Sequence, residues 1–169
     1  MVDKKAPMDH NFDSIDVASY IARWCGKNNI FVNITKLQKL LFCVYGSILA
    51  VEEKRICEEH PKAWPHGPVF PRVYTYTKRH QLDIIDALIK HQYAPNFDLS
   101  EEEINVIDQT LTLFGKYNAG QLVNWTHKQG SPWFESTKGG VCLQKEIPDL
   151  IIKDYFQKNV WVIDHGTEA

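Results

Sequence analysis

The sequence lacks an excess of charge of either sign. Its 169 residues contain 19 Lys and Arg against 21 Asp and Glu, which gives a net charge of −2. Proteins that bind DNA without regard to sequence are usually strongly basic, so this balance disfavours that function class. One local basic cluster is present, formed by Arg72, Lys78, Arg79 and His80. We interpret it as a helix C-terminus, whose partial negative charge favours cations.

The sequence also lacks the marks of a secreted or membrane protein. Its first ten residues contain no apolar stretch of the kind that a secretory signal needs. No run of about 18 apolar residues is available to span a membrane. The four cysteines form no C-x-x-C pair, so we expect reduced, buried thiols at Cys25, Cys43, Cys57 and Cys142. These absences predict a cytoplasmic protein that makes no use of a membrane.

Familiar catalytic and metal-binding motifs are missing as well. There is no G-x-S-x-G, no glycine-rich phosphate loop and no H-E-x-x-H. Cys57, His60 and His66 lie within ten positions, but zinc sites favour closer pairs and a second pair elsewhere. A small hydrolase that uses His66 or His127 stays an alternative, because sequence spacing does not reveal which side chains meet in space. We predict a protein that is not an enzyme and that needs neither a metal nor a cofactor.

What the sequence does contain is typical of one globular domain. Hydrophobic residues make up 44% of the chain and aromatic residues 12%, and a chain of this length buries a core of its own. Residues 1–12 are polar and are predicted to form a flexible lead-in. Residues 13–169 are predicted to form a single domain.

Apolar residues recur at helical spacing through most of this domain. The pattern predicts a mainly α fold, a single compact helical domain around a central buried helix, with one small β element. Helices are predicted over residues 14–25, 36–51, about 69–79, from 101, from 119, from 132 and from 149. Ser100 with Glu103 has the spacing of a capping box at one of these starts, and Asn118 with Gln121 marks another. Short strands are predicted at residues 56–57, 63–64 and 141–147, and residues 82–89 fit a helix or a strand equally well.

The second helix is predicted to be the central one. Thr35 and Gln38 have the spacing of a capping box at its start. Lys36 and Lys39 are predicted to be exposed in its first turn, because every later face of the helix is apolar or small. A stripe of small residues then predicts close contact with another helix, and it comprises Cys43, Gly46, Ser47 and Ala50.

A stiff loop follows this helix. Three prolines and a glycine between residues 65 and 71 exclude regular helix there. The loop presents Trp64 and His66, and rigid loops that carry an aromatic and a polar group are common binding elements. Further along, His127 is predicted to lie beneath Trp133 as a satisfied polar group if it does not serve a site.

Several stretches resemble the Panacea-domain family. Residues 35–42 match its K-L-Q-K-L-L segment, and residues 63–69 match its A-W-x-x-G-P-V segment. Residues 122–128, followed by Pro132 and Trp133, are similar to its L-x-x-x-T-H-x-x-x-P-W segment. Residues 16–20 fit its opening helix, so that the resemblance extends from residue 16 to about residue 156.

This resemblance implies a function. Panacea-domain proteins occur in bacteria, their phages and prophages, and many are antitoxins that bind and neutralise a protein toxin. At least one acts as an adaptor that delivers its toxin to an ATP-dependent protease. The motif residues of the family have no established catalytic role. The resemblance thus predicts an antitoxin, with a cognate protein toxin as partner and an ATP-dependent protease as a possible second one.

The sequence leaves two questions open. A regulator that is encoded by a phage or a mobile element and binds a host protein is an alternative to an antitoxin. The motif residues, moreover, either form the core or form the partner site. On the second reading, the first turn of the second helix and the loop of residues 64–66 lie near each other. The predicted partner-binding residues are Lys36, Gln38, Lys39, Trp64, His66, His127 and Trp133.

Overall fold

The structure is a computed structural model that describes residues 12–80 and 83–162. These residues form eight helices and a two-stranded antiparallel sheet, which confirms the predicted mainly α fold with one small β element. In chain order the elements are α1 (Ser14–Lys27), α2 (Ile34–Glu52), β1 (Lys62–Trp64), β2 (Gly67–Val69), α3 (Pro71–Arg79), α4 (Ile84–Lys90), α5 (Glu101–Phe114), α6 (Ala119–Thr126), α7 (Pro132–Thr137) and α8 (Asp149–Asn159).

Helix α2 is the central element of the fold, as the sequence predicts. Its residues from Lys36 to Ala50 are all buried, and α1, α5, α6 and α8 pack around it. Within the described residues, α2 is the one helix that is long and apolar enough to cross a membrane. Most of it is covered by the rest of the chain, so its apolar composition matches its place in the core.

The small-residue stripe of α2 allows α8 to approach closely. A Cβ atom at position 46 would overlap the ring of Phe156 on α8, so only glycine fits there. The Phe156 ring also meets Phe42, with 5.7 Å between ring centroids. Glycine costs a helix interior about 1 kcal/mol relative to alanine. At Gly46 that cost is offset by the buried aromatic contact.

Two of the three capping boxes that the sequence suggests are present. Ser100 with Glu103 starts α5, and Asn118 with Gln121 starts α6. The predicted box at Thr35 is wrong. The cap of α2 is Asn33, whose Oδ1 accepts from the Lys36 backbone N–H at 2.8 Å.

The β element is a hairpin with a third segment alongside it. Strand β1 pairs with β2 in antiparallel register, with Trp64 opposite Gly67. On its other side, Ala63 exchanges two 2.8 Å backbone hydrogen bonds with Lys145 and Gln144. The strand predicted at residues 63–64 is therefore confirmed. The strand predicted at residues 141–147 is absent except for a single β-bridge between Lys62 and Glu146. The strand predicted at residues 56–57 is also absent.

Helix α3 begins at Pro71, slightly later than predicted, because residues 67–69 pair in the hairpin. The ambiguous stretch at residues 82–89 contains α4, and residues 81–82 lie outside the described part of the chain. All four cysteines are free thiols, and all but Cys142 are buried. Of the predicted lead-in, only Phe12 is described, and its buried ring contacts Phe97 at 4.9 Å between centroids.

Candidate functional site

The hairpin turn is the point at which the motif segments meet. Pro65 and His66 form the turn and are exposed, whereas the next residue, Gly67, is buried. Gly67 has a φ of 111°, a value that suits glycine. A Cβ atom there would lie 2.7 Å from Thr126 Oγ1 and 2.9 Å from Lys39 Cε. The hairpin backbone is thus in close contact with both α2 and α6.

Helix α2 holds one side of the hairpin through two side chains. The Gln38 amide accepts from the Phe70 backbone N–H at 2.9 Å and donates to the Phe70 carbonyl at 3.3 Å. The Lys39 ammonium group donates to the Pro68 carbonyl at 3.1 Å. Gln38 is therefore not available for a capping box, because both ends of its amide are bound to Phe70.

The end of α6 and the start of α7 hold the other side. His127 Nε2 lies 2.9 Å from the Pro65 carbonyl, and Nδ1 lies 2.6 Å from the Val123 carbonyl. Trp133 Nε1 donates to the Trp64 carbonyl at 2.7 Å, and the His127 and Trp133 rings lie 4.0 Å apart.

These four side chains form one arrangement, which we call the hairpin clamp: Gln38, Lys39, His127 and Trp133. All of them bind backbone atoms of residues 64–70. The clamp explains why the motif needs these residue types. An amide is required where a backbone donor and acceptor must both be matched, and N–H donors are required at the three remaining carbonyls.

The predicted exposure of Lys36 and Lys39 is wrong. Their exposed fractions are 6% and 1%, and Gln38 and Trp133 are also buried, at 3% and 6%. Each ammonium group is tolerated inside because it donates a hydrogen bond to a backbone carbonyl. A partner at the hairpin surface would meet little of these side chains, so their support for a partner site is indirect, through the hairpin that they hold.

Lys36 does not take part in the clamp. Its ammonium group donates to the carbonyl of Gly115, just after α5, at 2.7 Å. Although it lies one helical turn from Lys39, it therefore points to a different part of the molecule. The structure brings Gln38 and Lys39 to the hairpin, as the hypothesis requires, and separates Lys36 from them.

Burial changes the acid–base properties of α2. It lowers the pKa of Lys39 to about 8 and lowers that of Lys36 as well. Burial also raises the pKa of the Cys43 thiol, one turn beyond Lys39. A neutral thiol with a raised pKa is a poor nucleophile, which fits a packing role for Cys43.

Two members of the predicted partner set do lie at the surface of the hairpin. His66 is exposed in the turn, and Trp64 is half-buried with its ring 5.0 Å from Tyr74 on α3. The indole N–H of Trp64 has no hydrogen-bond partner in the described residues. Tyr74 lies outside the predicted partner set, because only the tertiary structure brings it against Trp64.

The other sequence candidates have local partners. The Cys57 thiol donates to the Glu59 carbonyl, and His60 lies 2.6 Å from an Arg55 nitrogen. In residues 12–80 and 83–162, no group of three or more His, Cys, Asp or Glu side chains has metal-binding geometry. In the basic cluster, Arg72 forms a two-pronged ion pair with Asp13, at 2.6 and 2.9 Å.

Comparison with known proteins supports the family that the motif segments indicate. The family described as "Antitoxin SocA-like, Panacea domain" matches residues 37–134, a segment that includes all four clamp residues. Antitoxin SocA of Caulobacter vibrioides (strain NA1000 / CB15N) is 27% identical over 164 residues, covering 89% of this chain and 87% of that protein. No solved structure matches. Since the family match covers more than half of the sequence, the chain belongs to the SocA-like antitoxins with a Panacea domain.

Proposed function

We propose that the protein is the antitoxin of a toxin–antitoxin pair and that it neutralises a cognate protein toxin by binding it in the bacterial cytoplasm. Membership of the SocA-like antitoxin family supports this function most strongly. A relative that covers most of the chain is named as an antitoxin, which supports the same role.

The geometry of the motif residues favours binding over catalysis. The polar groups of all four clamp side chains bind backbone atoms, and these contacts fix a hairpin whose turn is exposed. A surface element that is ordered before its partner arrives loses little conformational entropy on binding. The Pro65–His66 turn and the half-buried Trp64 are the parts of this hairpin that a toxin could contact.

Neutralisation has two candidate routes. In the first, the antitoxin covers the active surface of the toxin, and in the second it delivers the toxin to an ATP-dependent protease. The routes differ in one measurable respect: delivery needs the protease, whereas covering the toxin does not.

The experiment is a rescue assay with the product of the neighbouring reading frame. This product is expressed from an inducible promoter in a bacterial host, with and without the present chain. We expect growth arrest alone and growth with both proteins, together with a complex that survives purification. Rescue that persists in a host lacking its ATP-dependent proteases supports direct neutralisation. If growth is not arrested, or if arrest is not relieved and no complex forms, the proposed function is wrong.

A further inference from the structure

An open cavity of about 540 Å³ lies between the loop that joins α1 to α2 and the loop that joins α5 to α6. We call it the Phe31 pocket, after the aromatic side chain at its rim. Its other lining residues that matter here are Lys36, Lys116 and Tyr117. The pocket lies at the start of α6, whereas the hairpin clamp is at its end. The eight residues of α6 place His127 of the clamp about 12 Å from the pocket end of that helix, whereas Lys39 of the clamp lies one turn of α2 from Lys36.

Phe31 is the most exposed large apolar side chain in the described residues, at 82%. Its two neighbours lie inward instead: Ile30 packs against the core and Val32 is buried. The loop is fixed at both ends. The Ile30 N–H donates to the Cys25 carbonyl at 2.9 Å, and Asn33 caps α2. The backbone therefore holds Phe31 outward, and this ring is not exposed merely because its loop is loose.

The charged side chains that line the pocket are both lysines. Lys116 is exposed at the edge of the pocket, Lys36 lies buried in its wall, and no described carboxylate is among the lining residues. Lys36 is bound to a neutral carbonyl and has no ion-pair partner in the described residues, so its charge is uncompensated. Lys116 is exposed and lies 5.3 Å from the centre of the Tyr117 ring. In a protein with a net charge of −2, this is a local positive site with an aromatic rim.

We propose that the Phe31 pocket is a docking site for an acidic segment of the cognate toxin. An apolar side chain of that segment packs between Phe31 and Tyr117, and its carboxylates face the exposed Lys116. Aromatic residues dominate binding energy at protein interfaces, and complementary charge sets orientation and association rate. The inference rests on the proposed function, since it names the surface through which the toxin is held.

Variants at the rim of the pocket test this inference, because they leave the core intact. The test variants are Phe31→Ser, Lys116→Glu and the two combined. Matched controls are Val141→Ser, at a side chain that is 81% exposed, and Lys138→Glu at an exposed lysine. Both controls lie after α7, outside the residues that line the pocket. Each protein is titrated with the purified product of the neighbouring reading frame and is also assayed for rescue.

We expect each single test variant to weaken toxin binding about tenfold, which is the loss typical of one anchor residue. Both controls should stay within about twofold of the parent chain. The parent affinity should fall as salt is added, and the Lys116→Glu protein should show a smaller dependence on salt. Among short overlapping peptides that cover the toxin, those that bind should contain acidic residues together with an apolar residue. These peptides should bind the parent chain and not the Phe31→Ser variant.

Other outcomes overturn the inference in distinguishable ways. If the parent chain binds the toxin and the test variants bind it equally well, the pocket is not the docking site, although the proposed function stands. If the parent chain neither binds nor rescues, the proposed function fails and the inference fails with it. If light scattering shows that Phe31→Ser converts a dimer into a monomer without weakening toxin binding, the occupant is a second copy of the chain.

Discussion

The hairpin clamp and the Phe31 pocket lie at opposite ends of α6 and differ in almost every physical respect. The clamp residues are buried or half-buried and bind backbone atoms, whereas the rim of the pocket carries the exposed side chains of Phe31, Lys116 and Tyr117. The clamp lies wholly within the segment that matches the family, as do Lys116 and Tyr117 of the pocket, whereas Phe31 precedes that segment. The difference in burial indicates that the clamp side chains build the fold and that partner recognition uses exposed side chains.

The clamp shows why a motif can look like a binding site in the sequence. Lysine, histidine, glutamine and tryptophan are residue types that commonly contact ligands, but in the clamp they satisfy carbonyl and N–H groups of residues 64–70. Removing Gln38 or Lys39 leaves a buried backbone group without its partner, and removing Trp133 leaves a cavity, and either is costlier than losing a surface contact. Clamp variants should therefore reduce stability, and pocket variants should not.

The largest effect is expected for Trp133→Ala. The change empties a buried aromatic site and removes the hydrogen bond to the Trp64 carbonyl, so unfolding should become easier by about 3–5 kcal/mol. Trp133→Phe keeps most of the packing and should lose about 1–3 kcal/mol for the missing donor. Urea unfolding followed by circular dichroism measures both. A loss below about 1 kcal/mol for Trp133→Ala would show that the hairpin is held elsewhere.

The next effect is expected for Gly67→Ala, with Gly130→Ala as its matched control. Both glycines have positive φ values, 111° and 88°, so both substitutions strain the backbone. At Gly130 an added Cβ atom meets nothing within 4 Å, whereas at Gly67 it meets Thr126 and Lys39. Gly67→Ala should therefore lose about 1–3 kcal/mol more than the control. Equal losses in the same unfolding assay would mean that the close approach of the hairpin to α2 is not needed.

Lys39 should make stability depend on pH. Burial lowers its pKa from 10.5 to about 8 in the folded protein. Between these values the unfolded chain binds a proton that the folded chain has released, so the Lys39 contribution to stability rises with pH from about 8 to 10.5 and is flat below.

The measurement is the difference in unfolding free energy between the parent chain and Lys39→Met at each pH. Both proteins share other groups that titrate in this range, such as Cys25, whose pKa burial raises to about 11. The difference therefore isolates Lys39. As the pH rises from about 8 to 10.5, the parent should become more stable relative to Lys39→Met by roughly 1–3 kcal/mol. A difference that stays constant with pH would contradict a buried, titrating Lys39.

The smallest effect on stability is expected at the pocket. Phe31→Ser and Lys116→Glu change exposed side chains, so each should alter the free energy of unfolding by no more than about 0.5 kcal/mol. Thermal and urea unfolding provide the check, with Val141→Ser as the comparison. A loss of more than about 2 kcal/mol at Phe31 would assign that ring to the fold and remove the contrast with the clamp.

Local signals predicted the helices well, because caps and apolar periodicity act over a few residues. The boxes at Ser100 and Asn118 are examples. The prediction at Thr35 failed because Asn33 competes for the cap and Phe70, distant in sequence, binds the Gln38 amide. The motif segments are recognisable in the sequence itself, and their likeness to the Panacea domain predicts the family.

The site was harder to predict than the fold. Lys36 and Lys39 were expected at the surface because charge usually stays there. Their burial depends on the carbonyls of Gly115 and Pro68, which only the tertiary structure brings within reach. The sequence does not predict Phe31 as a site residue. Nothing in the spacing of residues 30–32 distinguishes a ring held outward from one that packs inward.

The most direct test is the toxin affinity of the Phe31→Ser/Lys116→Glu double variant, measured on protein shown to be fully folded. If the clamp maintains the fold and the pocket holds the toxin, binding should weaken by about a hundredfold while the unfolding midpoint stays at the parent value. Parent-like affinity in the folded double variant would contradict the assignment of the pocket as the toxin-binding surface.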